Sequence, residues 1–398
     1  MSNPRLPGDL LDDVVDFLHD APDVLGNCCL VSKLWIPRTR KYLFADITFH
    51  KAESLELWRK TFPDPSTSPA CYTKSLSVGC PHAVTAADAQ PGGWIRTFSH
   101  VLHLNVDRLY DDGSAVPLLL FRGFSPTLKS LHVHFDPLPP SQICDFILSF
   151  PLLEDLNATA CESSASDGDG SHELLHAVQS VGLPRFTGTL ELPGTGIKLI
   201  TRQLLSLPGG IHFRRLVLRW FKVEDLSLAM ALVEACSHTL ESLDIGHVSS
   251  CTSTYVWVRV NNSILFLVKL VSASFNLFKV TKLRDVVFRL GSLTVEWITM
   301  VLQTITPNHQ DLQHILIYVN GHILPPVRPG VRVRETVGRE VFRQWSDLDR
   351  QLVQLWESRS IRLRVLCGSM GEYQRRMEYS IESLLPAASE EGMIDVVE

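Results

Sequence analysis

The feature that most constrains this chain is a short apolar-x-apolar core that returns at nearly constant intervals. It reads Leu76-Ser77-Val78, Leu102-His103-Leu104, Leu131-His132-Val133, Leu156-Asn157-Ala158 and Leu190-Glu191-Leu192. It continues as Leu216-Val217-Leu218, Leu243-Asp244-Ile245, Val286-Val287-Phe288 and Ile315-Leu316-Ile317. The first core positions are 26, 29, 25, 34, 26, 27, 43 and 29 residues apart, and six of these eight gaps fall between 25 and 29. Scattered leucines would not cluster so tightly. The preceding residues agree in type: Thr127-Leu128-Lys129-Ser130, Thr239-Leu240-Glu241-Ser242 and Lys282-Leu283-Arg284-Asp285. Segments of helical pattern fall between the cores, at Ser141 to Phe150, Ser171 to Val181, Leu226 to Cys236, Ser263 to Phe278 and Thr294 to Ile305. Strand and helix in alternation predict an α/β fold with a parallel sheet.

A unit of one strand and one helix at this length resembles a leucine-rich-repeat solenoid. The consensus asparagine of well-formed repeats is mostly missing, so residues 51–385 are expected to form a degenerate, leucine-rich-repeat-like array. The two long gaps mark insertions. One holds the polar run Cys161 to Gly170, and the other holds an apolar helix from Ile264. Ahead of the array, residues 45–60 read as a strand then a helix, and Pro63 to Pro69 as a loop. At the other end a proline-rich bend, Pro325 to Gly330, precedes a helix from Val341 to Glu357 and a strand, Leu363-Arg364-Val365-Leu366. Residues 386–398 are acidic and expected to be a flexible tail.

The first fifty residues follow another pattern. Leu10, Leu11, Val14, Val15 and Leu18 are apolar at helical spacing, with Asp9, Asp12 and Asp13 in the first turn, where the helix dipole favours negative charge. Ala21-Pro22-Asp23 ends this helix, and Asp23 is read as the cap of a second, which carries Val24, Leu25, Cys28, Cys29, Val31, Leu34 and Trp35. Pro37 suits the first turn of a third helix ending near Leu43-Phe44. Three short helices supply more apolar side chains than they can hide, so a partner surface is the natural sink.

Leu6-Pro7, Asp9-Leu10-Leu11, Val14-Val15, Leu18, Cys29-Leu30-Val31-Ser32 and Trp35 together resemble the F-box. The continuation from Pro37-Arg38-Thr39-Arg40 to Leu43-Phe44 is similar to F-box proteins abundant in fungi. Gly8-Asp9 departs from the commoner acidic residue plus Glu, and Val14-Val15 replaces an isoleucine-type pair; neither removes the apolar face. The resemblance implies a domain over residues 1–50 that docks the Skp-type linker of a Skp–cullin–F-box ubiquitin ligase. Carried over by position, the docking residues are Leu6, Pro7, Leu10, Leu11, Val14, Leu18, Leu30, Val31, Ser32 and Trp35. It also implies a non-catalytic subunit, with cullin reached through the linker.

Composition narrows the alternatives. A hydrophobic fraction of 45% marks a globular chain, and a net charge of −6 points to no nucleic acid. No charged n-region precedes an apolar run, and the most apolar stretch, Ile264 to Phe278, is broken by Lys269 and short for a membrane span. Neither a signal peptide nor a membrane partner is expected, and the place is cytoplasm, nucleus or both. Nine scattered cysteines without a Cys-x-x-Cys read as reduced thiols in the core. The basic run Arg38-Thr39-Arg40-Lys41 is read as a solvated helix face.

No motif carries catalysis. Asp167-Gly168-Asp169-Gly170 lacks the closing glutamate of a calcium loop, Cys71, Cys80 and His82 lack a fourth zinc ligand, and Gly194-Thr195-Gly196 is too short for a phosphate loop. No catalytic residue, metal or cofactor is expected. The better candidate is a surface. Because side chains alternate along a strand, inward Leu131 and Val133 put His132 and His134 outward. The same phase exposes His103 and Asn105, Glu191, Val217 and Arg219, Asp244, Val287 and Arg289, Leu316 and Tyr318. His103, His132, His134, Arg219, Asp244, Arg289 and Tyr318 are the candidate contacts to an unknown target protein. The expectation is a substrate-recognition adaptor; a scaffold that binds the linker or other proteins without a ligase role is the alternative.

Overall fold

The computed structural model describes residues 8–64, 67–90, 93–109, 120–124, 126–135, 140–160, 184–193, 197–219, 226–246, 275–290, 295–320, 335, 337–358, 362–368 and 374–397. The chain is α/β and divides into two compact units, Met1–Arg185 and Phe186–Glu398. The division falls within the insertion expected between Ala158 and Leu190. The polar run and the helix read at Ser171 to Val181 lie outside the described residues, as does most of the helix from Ile264.

The first unit opens with three helices, α1 (Gly8–Phe17), α2 (Pro22–Val31) and α3 (Ile36–Leu43). Pro22 stands in the first turn of α2 with Ala21 as the cap, so Asp23 is a first-turn acid and not the cap. A proline needs no amide partner there, which is why the helix starts two residues earlier than expected. Strands β1 (Asp46–Phe49), β2 (Ser75–Val78), β3 (His103–Leu109), β4 (Ser130–Phe135) and β5 (Asp155–Ala160) then pair in chain order, all parallel. Their apolar positions lie in register: Ile47, Leu76, Leu104, Leu131 and Leu156 form one buried row, and Phe49, Val78, Val106, Val133 and Ala158 the next. The sheet therefore begins before residue 51, the boundary expected for the array. Residues 45–60 are indeed strand then helix, with α4 at Ala52–Thr61. Trp58 of α4 stacks on Phe98 at 5.8 Å and meets Phe49 edge-on at the same distance, closing the first end of the core. Further on, α7 (Pro140–Leu148; α5 Ala86–Ala89 and α6 Trp94–Thr97 precede it) lays Phe146 edge-on against Phe135 at 6.3 Å.

The recurring tetrads have a structural reason. Before β2 to β5, two successive N–H groups converge on one carbonyl of the preceding repeat. Leu102 and His103 donate to Lys74 O at 2.8 and 3.0 Å, Lys129 and Ser130 to Leu102 O, and Glu154 and Asp155 to Lys129 O. Thr127 Oγ1 reaches back to Val101 O at 2.8 Å while Leu128 is fully buried. In Thr-Leu-x-Ser the threonine ties one turn to the last, the leucine fills the core, and the backbone N–H groups of the polar pair are satisfied by one carbonyl of the preceding repeat.

The second unit repeats this geometry. Strands β6 (Thr189–Pro193), β7 (Arg215–Arg219), β8 (Ser242–Gly246), β9 (Asp285–Leu290), β10 (His314–Asn320), β11 (Arg362–Gly368) and β12 (Ile394–Val397) are parallel and in chain order. Thr239 Oγ1 reaches Phe213 O at 3.1 Å, and Glu241 and Ser242 share Arg214 O, as in the first unit. Helices α8 (Ile197–Leu205), α9 (Leu226–Ala235), α10 (Val295–Gln303) and α11 (Arg339–Ser358) lie between strands, three of them where periodicity predicted. The helix read to Phe278 does not extend that far. Residues 275–278 are irregular: His309 Nδ1 accepts the Thr306 N–H at 3.1 Å, so Nε2 donates to Leu277 O at 2.9 Å, and the Leu277 N–H goes to Thr304 Oγ1 at 3.0 Å.

The expected flexible tail is folded. After α12 (Gln374–Leu384), Pro386–Glu390 forms α13 and Ile394–Val397 pairs with β11 as β12. The buried Asp349 carboxylate on α11 accepts the Ala388 and Ala387 amides at 2.9 and 3.1 Å, capping α13 from outside. Ala388 and Met393 are buried, so these two side chains anchor the segment to the second unit. Asp349→Ala is expected to cost about 1–2 kcal/mol. Hydrogen exchange should then speed at residues 386–397 before the rest of the unit; uniform exchange would show that the cap does not hold this segment.

Candidate partner-binding surfaces

Two surfaces stand out, one in each unit. On the three-helix segment, the stripe expected at Leu10, Leu11, Val14, Val15 and Leu18 is split. Val15 is fully buried and Leu18 half-buried, whereas Leu10 is 51% exposed and Val14 is also exposed. Phe17, unnoticed in the sequence reading, completes an outward stripe at i, i+4, i+7 and is 87% exposed. Leu30, Val31 and Leu34 follow at 85%, 73% and 77%. Among the described residues, seven of twelve exposed large apolar side chains lie between Leu10 and Leu34, against the usual pattern of single scattered ones. Ser32 and Trp35 are half-buried: Ser32 caps α2 and its Oγ accepts the Leu34 N–H at 3.2 Å, while Trp35 precedes α3. The Leu11 side chain, Leu6 and Pro7 lie outside the described residues.

A polar clamp sets the angle at which α1 presents its stripe. Asp16 accepts from Arg38 Nε at 2.6 Å, from Arg38 Nη2 and from Tyr42 OH at 2.7 Å. Arg38 is thus engaged and not simply solvated. Its neighbour Thr39 is buried, with Oγ1 donating to Trp35 O at 2.8 Å and lying 2.8 Å from Cys29 Sγ. The basic run is half inside the helical packing. The Arg38 hydrogen bond, then that of Tyr42, holds the Asp16 carboxyl down at about 2. Since the unfolded value lies near 3.9, the clamp contributes above about pH 4 and is lost as pH falls towards 2. The Asp16 carboxyl resonance should therefore titrate near pH 2, and at a higher pH in Arg38→Gln, where only the Tyr42 hydrogen bond still lowers it; an unchanged midpoint in that variant would remove the clamp.

The second surface is the polar face of β6–β10. Asp244 was expected to face solvent, yet it is 2% exposed. Arg289 donates to it through Nε and Nη2, both at 2.9 Å, and Arg219 through Nη2 at 2.8 Å. Arg219 Nη1 also lies 3.7 Å from Glu191, and the Arg289 guanidinium sits 5.1 Å over the Tyr318 ring. Burial pushes the Asp244 carboxyl up, but the two guanidiniums outweigh it and its pKa lies below the ordinary value. Register explains the meeting: Arg219, Gly246, Arg289 and Tyr318 form one row, with Asp244 one step back between the arginines. Gly246 leaves the space in which Arg289 folds over, since a Cβ there would lie 2.4 Å from that of Arg289. Val217 is buried beside this cluster, also contrary to expectation.

Four of the seven candidate target contacts are thus brought together. The other three are on the first unit's sheet, where His103 and His132 are exposed and His134 half-buried. Among the described residues no three histidines, cysteines or acids are grouped to hold a metal, and no helix is long and apolar enough to cross a membrane. Cys28, Cys80, Cys144 and Cys236 are buried, and burial pushes Cys144 and Cys236 up to about 12, as for thiols packed as core hydrophobes. Cys71, by contrast, is exposed. A groove of about 460 Å³ between α10 and α11 is lined by side chains such as Gln303, Arg343, Asp347 and Gln351. Its arginines pair along their own helix, Arg343 with Glu340 and Arg350 with Asp347. No protein-family model matches the chain, and no curated protein matches it by sequence.

Proposed function

We propose that this chain is a substrate-recognition adaptor of a Skp–cullin–F-box ubiquitin ligase, a non-catalytic subunit working inside the cell. Its first three helices act as the F-box and dock the Skp-type linker. The strand–helix units that follow form a leucine-rich-repeat-like solenoid whose polar face holds the target protein. The reading rests on one observation: large apolar side chains, Leu10, Val14, Phe17, Leu30, Val31 and Leu34, are left in water on a segment whose residues resemble the F-box. Burying each against a partner is worth roughly 1.5–3 kcal/mol before the costs of association. Holding linker and target on one body raises the effective concentration of the target near the ligase.

Purified full-length chain mixed with a purified Skp-type linker should elute as a one-to-one complex on size exclusion, and adding cullin should shift it further. No complex with the linker sinks the reading. A linker complex that excludes cullin replaces the ligase adaptor with a scaffold.

A further inference from the structure

The second unit's sheet carries its charge unevenly. On the polar face of β6–β11 stand five arginines, Arg215, Arg219, Arg289, Arg362 and Arg364, against three acids, Glu191, Asp244 and Asp285. That excess of positive charge sits in a chain of net charge −6. The equivalent face of the first unit has the opposite sign, with Asp46, Asp107 and Asp155 and no lysine or arginine among the described positions. Between the arginines, Val287, Leu316 and Tyr318 are only half-buried, which leaves an apolar centre inside a basic rim. From β7 to β11 is four strand spacings, about 19 Å, or roughly six residues of extended chain. Arginine and tyrosine around an apolar core is the composition that dominates protein recognition. Asp244 already occupies the inner edges of Arg219 and Arg289. Arg215 and Arg362 are exposed and have no ion-pair partner among the described residues.

We propose that this face binds an acidic, carboxylate-bearing protein segment that carries an apolar residue. The leucine, valine or aromatic side chain seats on Val287, Leu316 and Tyr318, and carboxylates on either side meet Arg215 and Arg362. This rests on the adaptor reading for its purpose and names the chemistry of the target.

The probe is a fluorescein-labelled twelve-residue peptide of aspartate and glutamate with one central leucine, titrated into the full chain at about 50 mM salt. Saturable binding is expected, weakened about tenfold or more in Arg215→Glu/Arg362→Glu, whose exposed positions leave folding intact, and unchanged in Lys74→Glu, an exposed position on the first unit. A leucine-to-serine peptide should also bind more weakly. Absence of saturable binding, indifference to the arginine variant, or tighter binding of a single-stranded oligonucleotide of equal length overturns the proposal. Leu30→Lys/Val31→Lys should bind the peptide as the parent does, so loss of linker docking and loss of this site are read separately.

Discussion

A chain carrying Leu30→Lys and Val31→Lys is expected to lose its capture of a Skp-type linker by about a hundredfold or more, while its melting temperature moves by no more than about 2 °C. Both side chains stand mostly in water, so the free chain gives up little. They also lie in the last turn of α2, where a cation is favoured by the helix dipole. In a docked complex the same positions would have to bury two ammonium groups in place of two aliphatic side chains. Loss of burial alone removes roughly 3 kcal/mol, and desolvating the charges adds to it. Val15→Asp provides the contrast. It is fully buried within the unit, so it should lower the melting temperature as well as binding. If the double lysine variant still elutes with the linker at the parent's affinity, the exposed apolar face has no part in docking.

The repeating strands were legible because each one shows the same local evidence: alternation, a leucine in the preceding turn and a polar pair at the strand start. Alternation fixes the face, but it does not fix how far along a neighbour the strand pairs, because a slip of two residues keeps every side chain on its side. Thus Leu102 is not the partner of Leu76; Leu104 is, and it also faces Leu131. The corrected spacing is more regular than the one read from the sequence. The last strand was missed because acidic residues surround it, although Pro386 in the first turn of a helix and Gly392 just after it, at φ +69°, bracket a helix.

The candidate surfaces were legible by position and not by state. Phe17 has the helical spacing of Leu10 and Val14 and could have been found; which of Val14 and Val15 is covered depends on α3, whose hold on α1 runs through Asp16, Arg38 and Tyr42. That clamp joins residues more than twenty positions apart, beyond any periodicity. The same holds for Asp244. The outward phase of Arg219, Asp244, Arg289 and Tyr318 followed from alternation, but their convergence depends on register across four strands and on the missing side chain of Gly246. No single strand contains that information.

The Asp244 cluster yields the second large effect, in Arg219→Met/Arg289→Met. Methionine keeps most of the aliphatic volume over the sheet, so the change removes the charges more than the packing. It leaves a carboxylate that is 3% exposed without its donors, which at neutral pH costs roughly 3–5 kcal/mol. The pH dependence should also change sign. In the parent the folded carboxyl lies below its ordinary value, so its contribution is present above about pH 4 and lost as pH falls further. In the variant only burial remains, the folded carboxyl rises above the unfolded one, and the protein loses stability as pH climbs from about 4 towards that raised value. Urea midpoints measured from pH 4 to 7 should therefore diverge, with the variant near the parent at pH 4 and far below it at pH 7. Adding Asp244→Asn, which cannot ionise, should flatten the slope. Parallel midpoints across that range would mean that Arg219 and Arg289 do not compensate the buried charge, and that the network they form with Asp244 is incidental to the fold.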